Sequence, residues 1–117
     1  MPSDTIEIVP YDPGWPGLFE AEAVRLRAAL KTLALRIDHH GSTAVPGLSA
    51  KPIIDIQVSV ANLQPLVAYS APLVAIGYVH VTHPDDSFCP FFHRPPQWPH
   101  THHIHVVERG GREERRT

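Results

Sequence analysis

The sequence is poor in cysteine and in long hydrophobic runs. Cys89 is the only cysteine among 117 residues, so no internal disulfide can form, which fits a reducing compartment. No apolar stretch approaches the roughly 20 residues that a membrane-spanning helix needs. The first residues also lack the basic and apolar regions of a signal peptide. We therefore expect a cytoplasmic protein with no membrane partner.

An excess of positive charge is also absent. Lys and Arg together number 10, Asp and Glu number 12, and the formal net charge is -2. Proteins that bind nucleic acid usually carry a basic stripe or patch, so this charge balance argues against a nucleic-acid partner. The length suits one domain with one core and is too short for two. The oligomeric state is left open by these features.

Proline and histidine are abundant instead. The chain has 13 prolines, which limit the length of regular elements, and nine histidines. Apolar residues recur every three or four positions over 15–33, which predicts a helix with Pro16 in its first turn. A second helix is predicted to begin at Asn62 as the N-cap, with an interruption at Pro72 and a stop at Gly77.

Strand-like segments alternate with these helices. The strongest is 53–60, which is rich in β-branched residues at both parities and is typical of a mostly buried strand. The others lie at 6–9, 35–40, 78–81 and 103–107, with 88–93 as a further candidate. This order predicts an α/β (α+β) domain over residues 1–108, with a mixed sheet covered by helices mainly on one face. The charged segment 109–117 is predicted to be a frayed tail.

The chemically informative segment joins the strand at 35–40 to the strand at 53–60. Gly41 lets the backbone approach a phosphate closely, and Ser42, Thr43 and nearby N–H groups can donate to phosphate oxygens. Lys51 can supply a positive charge. Asp55 can hold a divalent cation, Mg²⁺ or Mn²⁺, that bridges phosphates, and it is the catalytic candidate. The alternative is a tight turn beside a buried, paired carboxylate.

Residues 39–48 and 51–56 together resemble the signature of the GrpB family. In that family a His-x-Gly-Ser-Thr-x-Val-Pro-Gly-Leu loop runs into a Lys-Pro-x-Ile-Asp-Ile strand. Segments 9–15 and 102–107 resemble two further blocks of the family. The resemblance implies a fold similar to the nucleotidyltransferase superfamily and a nucleotide or other phosphate-bearing ligand. GrpB-like domains occur alone or fused to dephospho-CoA kinase, and most continue further, so this chain is compatible with a C-terminal truncation.

One departure from the nucleotidyltransferase pattern concerns the reaction. Those enzymes carry two acids, two residues apart, on the strand after Gly-Ser, but here the second position is Gln57. An amide cannot supply the charge that a two-metal phosphoryl-transfer site needs. A metal-dependent nucleotidyltransferase and a non-catalytic ligand-sensing or accessory module of the same fold therefore both stay open.

The histidines give a third hypothesis. His103 and His105 are two residues apart, so they share a face of their strand and are candidate metal ligands with Asp55. His39 is a candidate for the third ligand or for a supporting role, which would make a transition-metal-binding protein. The simpler interpretation is a pair of half-exposed histidines, and His105 could also bind an anion. The remaining histidines of the 80–105 region are expected to be solvated: His80, His83, His93, His100 and His102.

Overall fold

The structure, a computed structural model, describes residues 7–111 and 113–114, and this part of the chain contains two α-helices and five β-strands. The helices are α1 (Trp15–Leu30) and α2 (Val67–Ala75). The strands are β1 (Arg36–His40), β2 (Ile54–Val60), β3 (Val79–Val81), β4 (Phe91–Arg94) and β5 (His102–Glu108). Within these described residues, neither helix is long and apolar enough to cross a bilayer.

The strands form one mixed sheet in the order β1-β2-β5-β4-β3. β2 and β5 pair in parallel, and every other neighbouring pair is antiparallel. The segment that returns from β2 to β5 includes α2, β3 and β4, which is long enough for the crossover that parallel strands require. The predicted mixed sheet is thereby confirmed.

Both helices pack against one face of this sheet. The core consists of apolar side chains from that face and from the inner side of α1, among them Trp15, Phe19, Leu26 and Leu30 on the helix and Ile54, Ile56, Val58, Ile104 and Val106 on the central strands. Tyr69 of α2 meets Phe92 of β4 edge-on, with ring centroids 6.3 Å apart. The opposite face carries the alternate residues of each strand and receives no helix in the described part of the chain.

Several boundaries differ from the sequence prediction. The second helix begins at Val67 and not after Asn62, and it continues through Pro72. Proline removes one backbone donor there, but packing of Tyr69 and Leu73 in the core holds the turn. Residue 6 of the strand predicted at 6–9 lies outside the described residues, and the rest of that segment forms only a bridge between Val9 and Ala50.

The predicted tail lies partly within the described residues. The Arg109 amide donates to the Val60 carbonyl at 2.8 Å, which extends the β2–β5 pairing by one bond. The Gly110 amide donates to the Glu114 carboxylate at 3.0 Å. Arg112 and residues 115–117 lie outside the described residues, so the frayed tail stays a prediction.

A buried carboxylate links α1 to strand β4. Glu22 of α1 is only 2% exposed. It accepts hydrogen bonds from Arg94 at 2.7 Å, from the Tyr78 hydroxyl at 2.6 Å and from Arg25 at 2.9 Å. His102, expected to be solvated, is buried with its Nε2 3.9 Å from the same carboxylate.

The pKa values of the groups in this network are strongly shifted. Burial alone would raise the pKa of Glu22, but the hydrogen bonds from Arg94, Tyr78 and Arg25 outweigh it and lower that pKa from 4.5 to about 2. Burial, assisted by the charge of Arg94, lowers the pKa of His102 from 6.5 to about 4. Burial and the bond to Glu22 raise the pKa of the Tyr78 hydroxyl. The folded state therefore holds an ionised Glu22 beside a neutral His102.

Replacing the charge at this centre should weaken the fold. Glu22→Gln leaves Arg94 without its anionic partner, and we expect a loss of about 3 kcal/mol in the free energy of unfolding. Chemical denaturation at neutral pH measures the loss. Glu20→Gln, on an exposed position of the same helix, is the matched control and should change stability by less than about 0.5 kcal/mol.

The pH dependence of the unfolding free energy gives a second prediction for Glu22. A lowered carboxylate pKa stabilises the folded state above pH 4.5, and that contribution is lost as the pH falls from 4.5 towards 2. The difference in unfolding free energy between wild type and Glu22→Gln should therefore shrink over that interval. A difference that stays constant down to pH 2 would contradict the ionised network.

Candidate functional site

The loop between β1 and β2 brings Gly41 beside Asp55. β1 ends at His40, a short 3₁₀ turn covers Ser42–Ala44, and β2 starts at Ile54. The two strands are antiparallel and pair His40 with Asp55, so both ends of the loop lie next to each other. The Gly-Ser turn and the acid that the sequence predicted as partners are therefore adjacent in space.

Glycine is required at position 41 for two separate reasons. Its backbone has φ 74° and ψ -170°, a region that side-chain-bearing residues rarely enter. A Cβ placed on Gly41 would overlap the Oδ2 atom of Asp55 and would lie 3.0 Å from its Cβ. Gly41 thus leaves room for the Asp55 carboxylate, whereas the sequence predicts that it leaves room for a phosphate.

Thr43 anchors the loop from inside. Its side chain is buried, and its hydroxyl donates to the Ile53 carbonyl at 3.1 Å. A hydroxyl has one proton, so His39 Nε2, 2.9 Å from the Thr43 oxygen, must be the donor in that contact. The structure therefore gives Thr43 a structural role in addition to its place beside the cleft.

His39 faces the helices and not the Asp55 side of the sheet. It pairs with Ile56 across β1 and β2, and its ring stacks on Phe19 with centroids 4.9 Å apart. Burial lowers the pKa of His39, and the nearby Asp55 charge opposes that shift only in part. The proposed set of His39, His103 and His105 is therefore not assembled, because adjacent strand residues point to opposite faces.

His103 is the side chain paired with Asp55. The parallel register of β2 and β5 places the two residues side by side, and His103 Nδ1 lies 3.6 Å from Asp55 Oδ1. Both side chains keep access to solvent, with 33% of Asp55 and 20% of His103 exposed. His105 shares this face, as predicted, but it pairs with Gln57 one step further along the sheet.

Two more histidines, His100 and His93, continue outward from this pair. His103 Nε2 lies 3.1 Å from His100 Nδ1, and the His100 ring stacks on His93 with centroids 3.7 Å apart. Trp98 meets His100 edge-on at 4.7 Å. The expectation of a solvated His93 is wrong, because its side chain is only 8% exposed. Strand pairing explains this, since His93 lies opposite His103 on β4.

A cleft of about 430 Å³ opens along these groups, within the usual size of small-molecule sites. It combines polar and apolar side chains from the N-terminal segment, the loop, β2 and the 95–100 segment. The lining residues are Ile8, Ser42, Thr43, Ser49, Ala50, Lys51, Ile53, Asp55, Trp98 and His103. Five of the predicted site residues thus lie around one cleft.

Ile8, Ser49 and Trp98 also line the cleft, although no sequence pattern assigns them to the site. The Val9–Ala50 bridge brings the N-terminal segment to the loop. Local sequence patterns do not predict an isolated pairing of this kind. Trp98 lies in the proline-rich segment between β4 and β5, at whose base the Thr101 amide donates to the Arg94 carbonyl at 2.8 Å. The one sequence feature that pointed to Trp98 is a large aromatic side chain in a loop, where such side chains are seldom exposed.

The donor atoms suit a magnesium-like cation better than a transition metal. Asp55 offers a partly exposed carboxylate, and a hard divalent cation takes one or two carboxylates together with phosphate oxygens and water. Among the described residues, no group of three His, Cys, Asp or Glu side chains is arranged to hold a metal ion. His105 and Gln57 line a separate small pocket with Cys89.

Together these features define an α+β protein whose cleft is formed by a Gly-Ser loop and a strand carboxylate. A sequence model of the GrpB protein matches residues 5–117. The chain belongs to the GrpB family. The crystal structure of the GrpB protein from Enterococcus faecalis superposes with a TM-score of 0.79 at 34% identity, covering 87% of this chain and 61% of that one.

Curated relatives are longer than this chain. UPF0157 protein BH1888 from Halalkalibacterium halodurans is 42% identical over 108 residues, which is 91% of this chain and 53% of that protein. Dephospho-CoA kinase from Mycobacterium tuberculosis is 44% identical over 79 residues, 65% of this chain and 19% of the kinase. The chain spans about half the length of the first of these relatives and a fifth of the second.

Gly41→Ala should disturb both the fold and the cleft. The backbone conformation and the overlap with Asp55 together predict a loss of about 3 kcal/mol in unfolding free energy. Gly47→Ala is the matched control, because Gly47 also has a positive φ, 82°, but its Cβ would meet open space. We expect about 1 kcal/mol there. Urea denaturation measures both losses of unfolding free energy. Equal losses for the two variants would show that the close approach of Asp55 is not the reason for glycine at position 41.

Proposed function

We propose that this domain binds a phosphate-bearing small molecule in the 430 Å³ cleft, together with a divalent cation at Asp55. The observation that carries the proposal is that Ser42 and Lys51 of the loop, Asp55 of β2 and His103 of β5 line that one cleft. The matching segment within a dephospho-CoA kinase, a protein named for phosphoryl transfer, supports the same class of ligand.

The loop supplies the phosphate contacts. Ser42 is exposed at the start of a 3₁₀ turn, where its hydroxyl and backbone N–H can donate to phosphate oxygens. Lys51 is exposed on the cleft wall and brings a positive charge to the same ligand. Thr43 holds the turn in place through its bonds to Ile53 and His39.

Asp55 makes the proposed binding dependent on a cation. A carboxylate beside a phosphate repels it, but a divalent cation between the two converts the repulsion into attraction. Asp55 would hold Mg²⁺ or Mn²⁺ through its exposed carboxylate, and phosphate and water would complete the coordination. His103 lines the same cleft beside this carboxylate, with its Nδ1 3.6 Å from Asp55 Oδ1.

Gln57 favours ligand binding without group transfer. Its side chain is buried and lines the neighbouring pocket with His105, so it adds no charge to the cleft. A phosphoryl-transfer site with two cations needs more anionic ligands than Asp55 alone. A binding or accessory role is therefore the first choice, and nucleotidyltransferase activity with Asp55 as its catalytic residue is the second.

Thermal unfolding with phosphate-bearing probes tests this function. The probes are inorganic triphosphate and the four ribonucleoside triphosphates, each with and without Mg²⁺. At about 100 times its dissociation constant, a bound probe should add about 2.7 kcal/mol to the stability of the wild type. Asp55→Asn should lose the Mg²⁺-dependent part of that gain, and without Mg²⁺ it should bind at least as well as wild type because the repulsion is gone.

Asp38→Asn is the matched control. It makes the same change on the neighbouring strand and on the same sheet face, but Asp38 pairs with Arg36 and is not among the cleft residues. Its ligand-induced shift should equal that of the wild type. If no probe stabilises the wild type, or if Asp55→Asn retains the full Mg²⁺ effect, the proposed site is wrong.

A further inference from the structure

Part of the cleft wall is apolar. Ile8, Ala50, Ile53 and Trp98 contribute carbon surface to the same cleft that Lys51 and the loop make polar. A ligand consisting of phosphate alone would leave this wall uncovered. The volume of about 430 Å³ also exceeds what a phosphate group fills, since sites of this size hold whole small molecules.

Trp98 is the aromatic member of that wall, and neighbouring histidines pack against its ring. His100 meets it edge-on at 4.7 Å, and His93 supports His100 through a parallel stack at 3.7 Å. His93 is in turn fixed by its contact with the Pro95 carbonyl at 3.1 Å and by its burial on β4. The indole therefore has a defined position before any ligand arrives, which reduces the entropy cost of binding.

The indole N–H adds a second observation. Trp98 Nε1 is buried and has no hydrogen-bond partner among the described residues. Buried polar groups are nearly always paired, so an unpaired donor beside a cleft is unusual. The position of the ring is thus explained by packing against His100 and by the cleft, and not by a hydrogen bond of its own.

We infer that Trp98 provides the ring-binding subsite of the cleft and that the phosphate-bearing ligand is a nucleoside phosphate, whose base contacts the indole. This inference rests on the proposed function, because it assigns the second half of the same ligand. Aromatic side chains contact nucleobases readily, since every base has a π face. The phosphates then lie at the Ser42, Lys51 and Asp55 end.

A comparison of the affinities of two kinds of probe tests the inference. Dissociation constants are measured by calorimetry, with Mg²⁺, for inorganic triphosphate and for the four ribonucleoside triphosphates. The wild type should bind at least one nucleoside triphosphate about tenfold more tightly than inorganic triphosphate. Trp98→Ala should remove that preference and leave the affinity for inorganic triphosphate unchanged. Phe88→Ala, an exposed aromatic residue away from the cleft, should change neither affinity.

Trp98→Phe covers the case in which the alanine variant does not fold. It keeps a ring at the wall and should retain most of the preference. Fluorescence gives an independent readout in the wild type, because Trp15 is buried in the core and Trp98 lines the cleft. The nucleoside triphosphate should quench the emission, inorganic triphosphate should not, and Trp98→Phe should abolish the quenching.

The two hypotheses fail in different ways. If neither inorganic triphosphate nor any nucleoside triphosphate binds, the proposed function is wrong and this inference falls with it. If inorganic triphosphate binds the wild type as tightly as every nucleoside triphosphate, the phosphate site stands and the ring subsite is wrong. Equal weakening of both probes by Trp98→Ala would also overturn the subsite.

Discussion

The candidate site depends on the close approach of Asp55 to the backbone at Gly41. Pairing of His40 with Asp55 brings the two ends of the loop together, and the missing side chain at position 41 makes room for the carboxylate. This close approach keeps the loop beside β2, where Ser42 and Lys51 share a cleft with Asp55. A larger residue at 41 would force the strand acid and the loop apart.

Around this contact the chain uses its polar groups in two distinct ways. On the helix side of the sheet, Glu22 is fully engaged by Arg94, Arg25 and Tyr78, and such a satisfied network fixes α1 against the strands. On the other side, Asp55 and His103 are partly exposed and face open space. The first group stabilises the fold, and the second is available to a ligand.

The sequence predicted the central elements because their signals are local. The β-branched run of β2, the periodicity of α1 and the Gly-Ser turn each depend on neighbours in the chain, and the structure confirms them. The pairing of Asp55 with His103 and the burial of Glu22 arise from contacts between residues about 50 and 70 positions apart. No spacing rule reports such contacts, so those features appear only once the sheet order is known.

The histidines illustrate the same limit. Their density suggested a metal site, and period-2 spacing correctly placed His103 and His105 on one face. In the structure, strand register separates His39 from that face and brings in His93 and His100, which the sequence predicted to be solvated. A shift of one residue in register reverses the face of every side chain, so the composition of such a cluster cannot be deduced from counting alone.

The most direct test of a ligand site at the Gly41–Asp55 contact is an NMR titration of backbone amides with a Mg²⁺-loaded nucleoside triphosphate. The account predicts that the largest shifts fall on Ser42, Thr43, Asp55 and His103, with amides near Glu22 unchanged. Shifts centred on the His105 and Gln57 pocket, or spread evenly over the sheet, would contradict it.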